Sequence, residues 1–251
     1  MTAVQWGKRG WVAETLLVLV LIVVLPLLNG VGLLSDYYLN LCGKYLSLAI
    51  LALGMDLIWG YTGILSLGQA VFFGLGAYSM GMHLMLGSSG QGVYGEPIPD
   101  FMVWNRVLEL PLFWKPYQYF PLATLSALLL PALVATIIGL LTFRRRVSGT
   151  YFAILTQAMA YATWLLCNRN ELNLGGTNGL TDFKRLLGFT LGDTSVLRGL
   201  YLVTALALIG SFLLCRWLVR SKMGLVLTAV RDQERRLQFL GYPMAHYKIF
   251  I

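Results

Sequence analysis

Charge is nearly absent from six long stretches of this chain, and that scarcity constrains the fold more than any other feature. The stretches run from about Trp11 to Leu33, Leu39 to Trp59, Ile64 to Leu86, Phe120 to Phe143, Thr150 to Cys167 and Leu200 to Val219. Each approaches the ~20 mostly apolar residues that carry a helix across hydrocarbon. In lipid every backbone N–H and C=O must find a partner within the protein, so each stretch is expected to be helical, and no ten-residue alternating pattern suggests a barrel. The expected fold is an all-α integral membrane protein, a polytopic bundle of about six spans forming one domain over residues 1–251. Only 12% of the residues are charged, against roughly 25% in soluble domains, and no polar stretch is long enough for a separate soluble domain. The first run follows Lys8 and Arg9 as a signal peptide would. It approaches spanning length, however, and no small-x-small cleavage site follows it, so it reads as a retained span.

The net charge of +8 sits mostly beside span ends, where basic residues set topology and meet acidic lipid headgroups. Nucleic-acid binding is disfavoured, because no soluble basic face exists to carry it. With the N-terminus in the cytoplasm, twelve Lys and Arg fall on inner segments and six on outer ones, Lys44 lying near the outer end of the second span. That excess favours an inside N-terminus in a multi-pass membrane protein. Cys42, Cys167 and Cys215 lie in or beside apolar runs without CxxC spacing, which gives no disulfide framework or metal site. The outer loop from Gly87 to Tyr119 carries Trp104, Phe113, Trp114, Tyr117 and Tyr119, expected in an interfacial belt or on a partner-docking surface.

Candidate functional residues concentrate between Ala52 and Leu86. Ala70, Gly74, Ala77 and Gly81 fall on one helix face, a spacing that lets backbones approach closely in lipid. Polar groups at spanning depth are costly and tend to face a bundle interior or a wet path. Ser66, Gln69, Thr156 and Gln157 are therefore expected to line a translocation path, while Asp56, near the inner end of its span, reads equally as a local cap or pair. The segment from about 221 to 246 is too charged to span. Leu225, Ala229, Leu237 and Leu240 give it short amphipathic helical character, with Gly241 and Pro243 as a stop. No GxxxxGK[ST], HExxH or GxSxG motif occurs, and His83 and His246 are isolated, so neither nucleotide hydrolysis nor hydrolytic catalysis has a residue set in this chain.

The segment Gly224, Ala229, Arg231, Asp232, Glu234, Gly241 resembles the coupling region of permeases in the branched-chain amino acid and urea family of ABC importers. GYTGILSLGQAVFFGLGAY, Gly60 to Tyr78, is similar to that family's most recognisable block, and RRRVSGTYFAILTQA and GGTNGLTDF agree in order. LGMDLIWG and Leu155-Thr156-Gln157-Ala158 look more like the urea branch than the amino acid branch. Gln69 departs from the family, which more often has His there. The resemblance also implies further spans after Ile251, so the chain reads as C-terminally truncated.

What the resemblance implies is a transport subunit of a bacterial inner (plasma) membrane rather than an enzyme. A paralogous permease, two cytoplasmic ATPase subunits and an external solute-binding protein would be its partners. ATP and Mg would be used by the ATPases, with no cofactor in this chain. Gly224, Ala229, Arg231, Asp232, Glu234 and Gly241 would couple to the ATPases through a helix at about Val230 to Leu240. The solute would be urea, with a branched-chain amino acid as the alternative; a passive urea channel and a membrane-embedded enzyme are the readings from other classes.

Overall fold

The computed structural model describes residues 8–90, 94–144, 149–181, 183–242 and 244–251. Arg145, Arg146, Asp182 and Pro243, which belong to motifs named above, lie outside the described residues. The chain forms two compact units, one from Met1–Leu53 with Gly192–Leu218 and the other from Gly54–Leu191 with Val219–Ile251.

In the first unit, α1 (Lys8–Leu19), a wide π turn (Val20–Val24) and α2 (Leu25–Gly30) form one uninterrupted helical run. Pro26 has no N–H to offer the carbonyl of Ile22, and the widened turn covers that residue. The Tyr201 hydroxyl donates to the Leu21 carbonyl at 3.1 Å. The first part of α3 (Asp36–Thr62) and most of α8 (Thr194–Arg220) complete this unit. Its core is Leu39, Tyr201 and Ala205, and Gly43 admits the Tyr201 ring, which would lie 3.8 Å from a methyl there.

The polar groups of this unit sit toward the helix ends. The buried Asn29 amide donates to the Leu34 carbonyl at 2.9 Å and to Asp36 Oδ1 at 2.8 Å. Thr194 donates to Asp36 Oδ2 at 2.6 Å, and the Arg198 guanidinium reaches both oxygens of Asn29. Toward the other end, Glu14 pairs with Arg216. Groups too polar for hydrocarbon thus pair with one another toward the helix ends.

The second unit holds the rest of α3, α4 (Gln69–Ser88), α5 (Asp100–Trp104), α6 (Phe120–Phe143), α7 (Thr150–Cys167), a two-residue hairpin (β1, Arg185–Leu186; β2, Phe189–Thr190), α9 (Lys222–Phe239) and α10 (Met244–Phe250). α4 packs along α6. Gly76 makes the close approach there, since a methyl would lie 3.1 Å from the Ala127 carbonyl. The small-residue face named above is placed differently. Ala70 and Ala77 are exposed, nothing lies within 4 Å of a methyl at Gly74, and Gly81 packs against Leu180 and Phe183 of a loop.

Beyond α4 lies a second core of Met82, Ile98, Met102 and Trp114. The aromatic loop therefore divides. Trp114 is 4% exposed and Tyr117 packs against that core, whereas Trp104, Phe113 and Tyr119 remain outside. This loop meets the one that follows α7: Trp114 Nε1 donates to the Asn173 carbonyl and the Asn105 amide to the Asn170 carbonyl, both at 3.1 Å.

Among the described residues, α3, α4, α6 and α8 are long and apolar enough to cross a membrane. α6 leaves Leu128 70% exposed and Leu141 67% exposed. An outside this apolar is stable against hydrocarbon or another helix, not against water.

Candidate functional site

The third apolar stretch is not helical from its beginning, as had been expected from its composition. α3 stops at Thr62, whose hydroxyl donates back to the Ile58 carbonyl at 2.5 Å. Gly63 then turns the chain at φ +69° while its N–H bonds the Trp59 carbonyl at 3.0 Å. A side chain is disfavoured at that φ, so glycine permits the break. Residues 64–68 are non-helical, with a bend at Leu67 and Gly68 at φ −97°, ψ 7°; Ile64, Ser66 and Gly68 are buried and Leu65 and Leu67 exposed. α4 begins only at Gln69.

Non-helical backbone at membrane depth needs partners from elsewhere in the protein. Here Thr156 of α7 supplies one: its buried Oγ1 accepts the Leu67 N–H at 3.0 Å and itself donates to a carbonyl of the preceding turn, Phe152 or Ala153, both at 3.0 Å. Gly68 lets the segment lie this close. A methyl there would come within 3.2 Å of the Thr156 carbonyl and 2.9 Å of Met159 Cε.

The break opens a cavity of about 280 Å³ whose lining includes Ser66, Gln69 and Thr156. Three of the four residues expected on a path therefore converge on one space. The fourth does not. Gln157 is exposed on α7, because successive helical residues point about 100° apart. Apolar walls come from Ile58, Ile64, Phe72, Pro131 and Phe152. Asp56 lies exposed on α3. A larger cavity of about 610 Å³ lies among the loops that follow α4 and α7, with Ser88, Asp100, Trp104, Asn178 and Lys184 in its wall.

Sequence reasoning missed Lys248. It lies in α10, 8% exposed, and its Nζ donates to Glu234 Oε1 at 2.6 Å and sits 5.7 Å from the centre of the Phe143 ring. Phe143 in turn stacks on Phe152. Lys248 and Ile249 line the 280 Å³ cavity, and Ile249 packs on Gly139 of α6. The glycines bracketing GILSLG, Gly63 and Gly68, were the available signal for the break.

The segment after α8 begins with Ser221 as an N-cap, its hydroxyl accepting the Met223 N–H at 3.2 Å. Gly224 is pressed so tightly on the Val219 carbonyl that a methyl would overlap it. Leu227 and Val230 are buried, Ala229 is half-buried, and Leu225 and Leu240 face outward. Gln233 leaves helical geometry (φ −152°, ψ 67°), so α9 is kinked. It ends in a Schellman motif: Gly241 at φ +81° bonds the Gln238 carbonyl and Tyr242 the Leu237 carbonyl. Arg231 donates from one terminal nitrogen to the Gly60 carbonyl at 2.6 Å, and from Nε to Asp232 at 3.1 Å. Glu234 holds Lys248.

Apolar helices with a break beside a partly polar cavity define the class as a helical membrane protein. The family is specific: residues 37–251 match the model for the permease component of the branched-chain amino acid transport system, and the chain belongs to that family. No curated protein and no solved structure matches it. As a member it is a multi-pass membrane transport subunit and not an enzyme.

Proposed function

We propose that this chain forms half of the translocation path of an ATP-driven importer for urea, working with a related permease, two cytoplasmic ATPase subunits and an external solute-binding protein. The observation that carries the reading is the convergence of Ser66, Gln69 and Thr156 on one small cavity beside a helix break. Its volume is just below the ~300–1,000 Å³ of sites for drug-sized ligands. Hydroxyl and amide groups offer both donors and acceptors, as a neutral diamide requires. The one ammonium in the wall is paired with Glu234. The urea-like LGMDLIWG and Thr156-Gln157-Ala158 point the same way. In this reading the N-terminus is cytoplasmic, and α9 transmits the closure of the ATPases to the path.

A second reading has support from the same walls. Ile58, Ile64, Phe72 and Phe152 would suit the side chain of a branched-chain amino acid, and its carboxylate could compete with Glu234 for Lys248.

Uptake of labelled urea and labelled leucine into vesicles holding all partner subunits separates the two. ATP-dependent urea uptake that falls in Gln69→Leu, with the variant still membrane-inserted, is the expected result. Leucine uptake alone would favour the second reading, and ATP-independent urea uptake by this chain alone would make it a passive channel.

A further inference from the structure

Arg231 lies on the helix that follows α8, yet its guanidinium reaches the end of α3. The last carbonyls of a helix lack intrahelical partners and carry the negative end of its dipole, so a cation there is favourable. Arg231 fills that role by bonding the Gly60 carbonyl at 2.6 Å. Its aliphatic stem lies over Gly63, where a methyl would come 2.9 Å from Cγ. Gly63 is the turn at which α3 stops, and the non-helical residues 64–68 begin immediately after it. Those residues place Ser66 in the cavity wall and hang from Thr156 at Leu67. One side chain therefore touches the start of the broken segment from outside, at the end opposite to the one Thr156 holds.

We propose that Arg231 is a positioning residue that latches the end of α3 and fixes residues 64–68, so that a displacement of α9 is delivered to the cavity wall at Ser66. Its Nε is shared with Asp232, and the side chain is 44% exposed, so a partner that engages Asp232 or displaces α9 acts directly on the latch. The Glu234–Lys248 pair gives α9 a second hold, on α10 and through it on the cavity. The structural content of the latch does not depend on the solute. Its role in transport rests on the importer reading above.

The test is hydrogen exchange of the peptide covering residues 61–68, measured on the full chain in nanodiscs and comparing wild type with Arg231→Met and Arg231→Lys. The latch predicts roughly tenfold faster exchange in Arg231→Met, equivalent to about 1.4 kcal/mol, with Arg231→Lys between it and wild type because an ammonium can still donate to Gly60. Exchange elsewhere, in α6 for example, stays as in wild type, which a general loss of structure would not allow. Unchanged exchange over 61–68 in Arg231→Met overturns the proposal; should that variant fail to insert, wild-type exchange in Arg231→Lys together with Arg231→Gln does the same. Because no partner or nucleotide is present, failure of the importer reading leaves this outcome unaffected. In the assembled complex, Arg231→Met is then expected to lower the rate of ATP-dependent uptake while leaving the solute concentration for half-maximal uptake within about twofold, a split that a damaged solute site would not give.

Discussion

Replacing Thr156 with Val tests the helix break itself. The two side chains have nearly the same shape, so the substitution removes one hydroxyl and little else. That hydroxyl is the acceptor for the Leu67 N–H at 3.0 Å. Its own donated bond returns to a carbonyl of the same helix that already has a helical partner. The loss is therefore concentrated on one part-buried amide, left without its protein acceptor. Removing one partner of a buried hydrogen bond costs about 1–3 kcal/mol, which corresponds to roughly 5- to 150-fold in the opening equilibrium of residues 64–68. Hydrogen exchange over those residues reads that quantity directly, with Thr156→Ser as the control that keeps the oxygen. Thr156→Val exchanging as slowly as wild type would refute the claim that Thr156 holds the non-helical segment, as would Thr156→Ser behaving like Thr156→Val.

Lys248→Met is expected to lower the thermal midpoint of the purified chain more than Lys248→Met/Glu234→Gln does, because the single variant strands a carboxylate while the double variant removes both charges. A double-mutant cycle should return a coupling of about 1 kcal/mol, reduced from the fully buried case by the partial exposure of Glu234; additive effects would count against the pair. Asn29→Leu keeps the volume but removes the hub that joins Leu34, Asp36 and Arg198, and should cost about 2–4 kcal/mol because several polar groups lose partners at once. A midpoint within about a degree of wild type, against the several degrees that such a loss implies, would show that hub to be dispensable.

Much of the helical layout is legible in the sequence because lipid imposes a length. The fourth and fifth apolar stretches coincide with α6 and α7 at both ends. α3 and α8 run past their apolar stretches, taking in Asp36, Thr62, Thr194 and Arg198; such residues satisfy helix ends without contributing hydropathy. The third stretch is where composition misleads. Ile64, Leu65 and Leu67 are as apolar as any helix, but Gly63 ends α3 and the partner that holds the non-helical segment is 89 positions away. Periodicity cannot see such a bond.

The site was legible in part for the same reason. Polar residues at spanning depth marked Ser66, Gln69 and Thr156, whereas the neighbour of Thr156 on α7 took another face. Small-residue spacing named Gly74 and Gly81, yet the glycine that meets α6 is Gly76; spacing identifies a face, and only packing says which face is used. The motif around Arg231, Asp232 and Glu234 drew attention to α9. Its contacts with Gly60 and Lys248 depend on tertiary placement, which a motif does not carry.

For a solute to cross, the cavity beside residues 64–68 must be a wet path and not a packing defect in lipid. Ser66→Cys, in a background with Cys42, Cys167 and Cys215 replaced by Ser, should react with a membrane-impermeant thiol reagent in open membranes. Leu128→Cys, on the apolar outside of α6, should not. A cysteine at 66 as unreactive as the one at 128 would contradict the path.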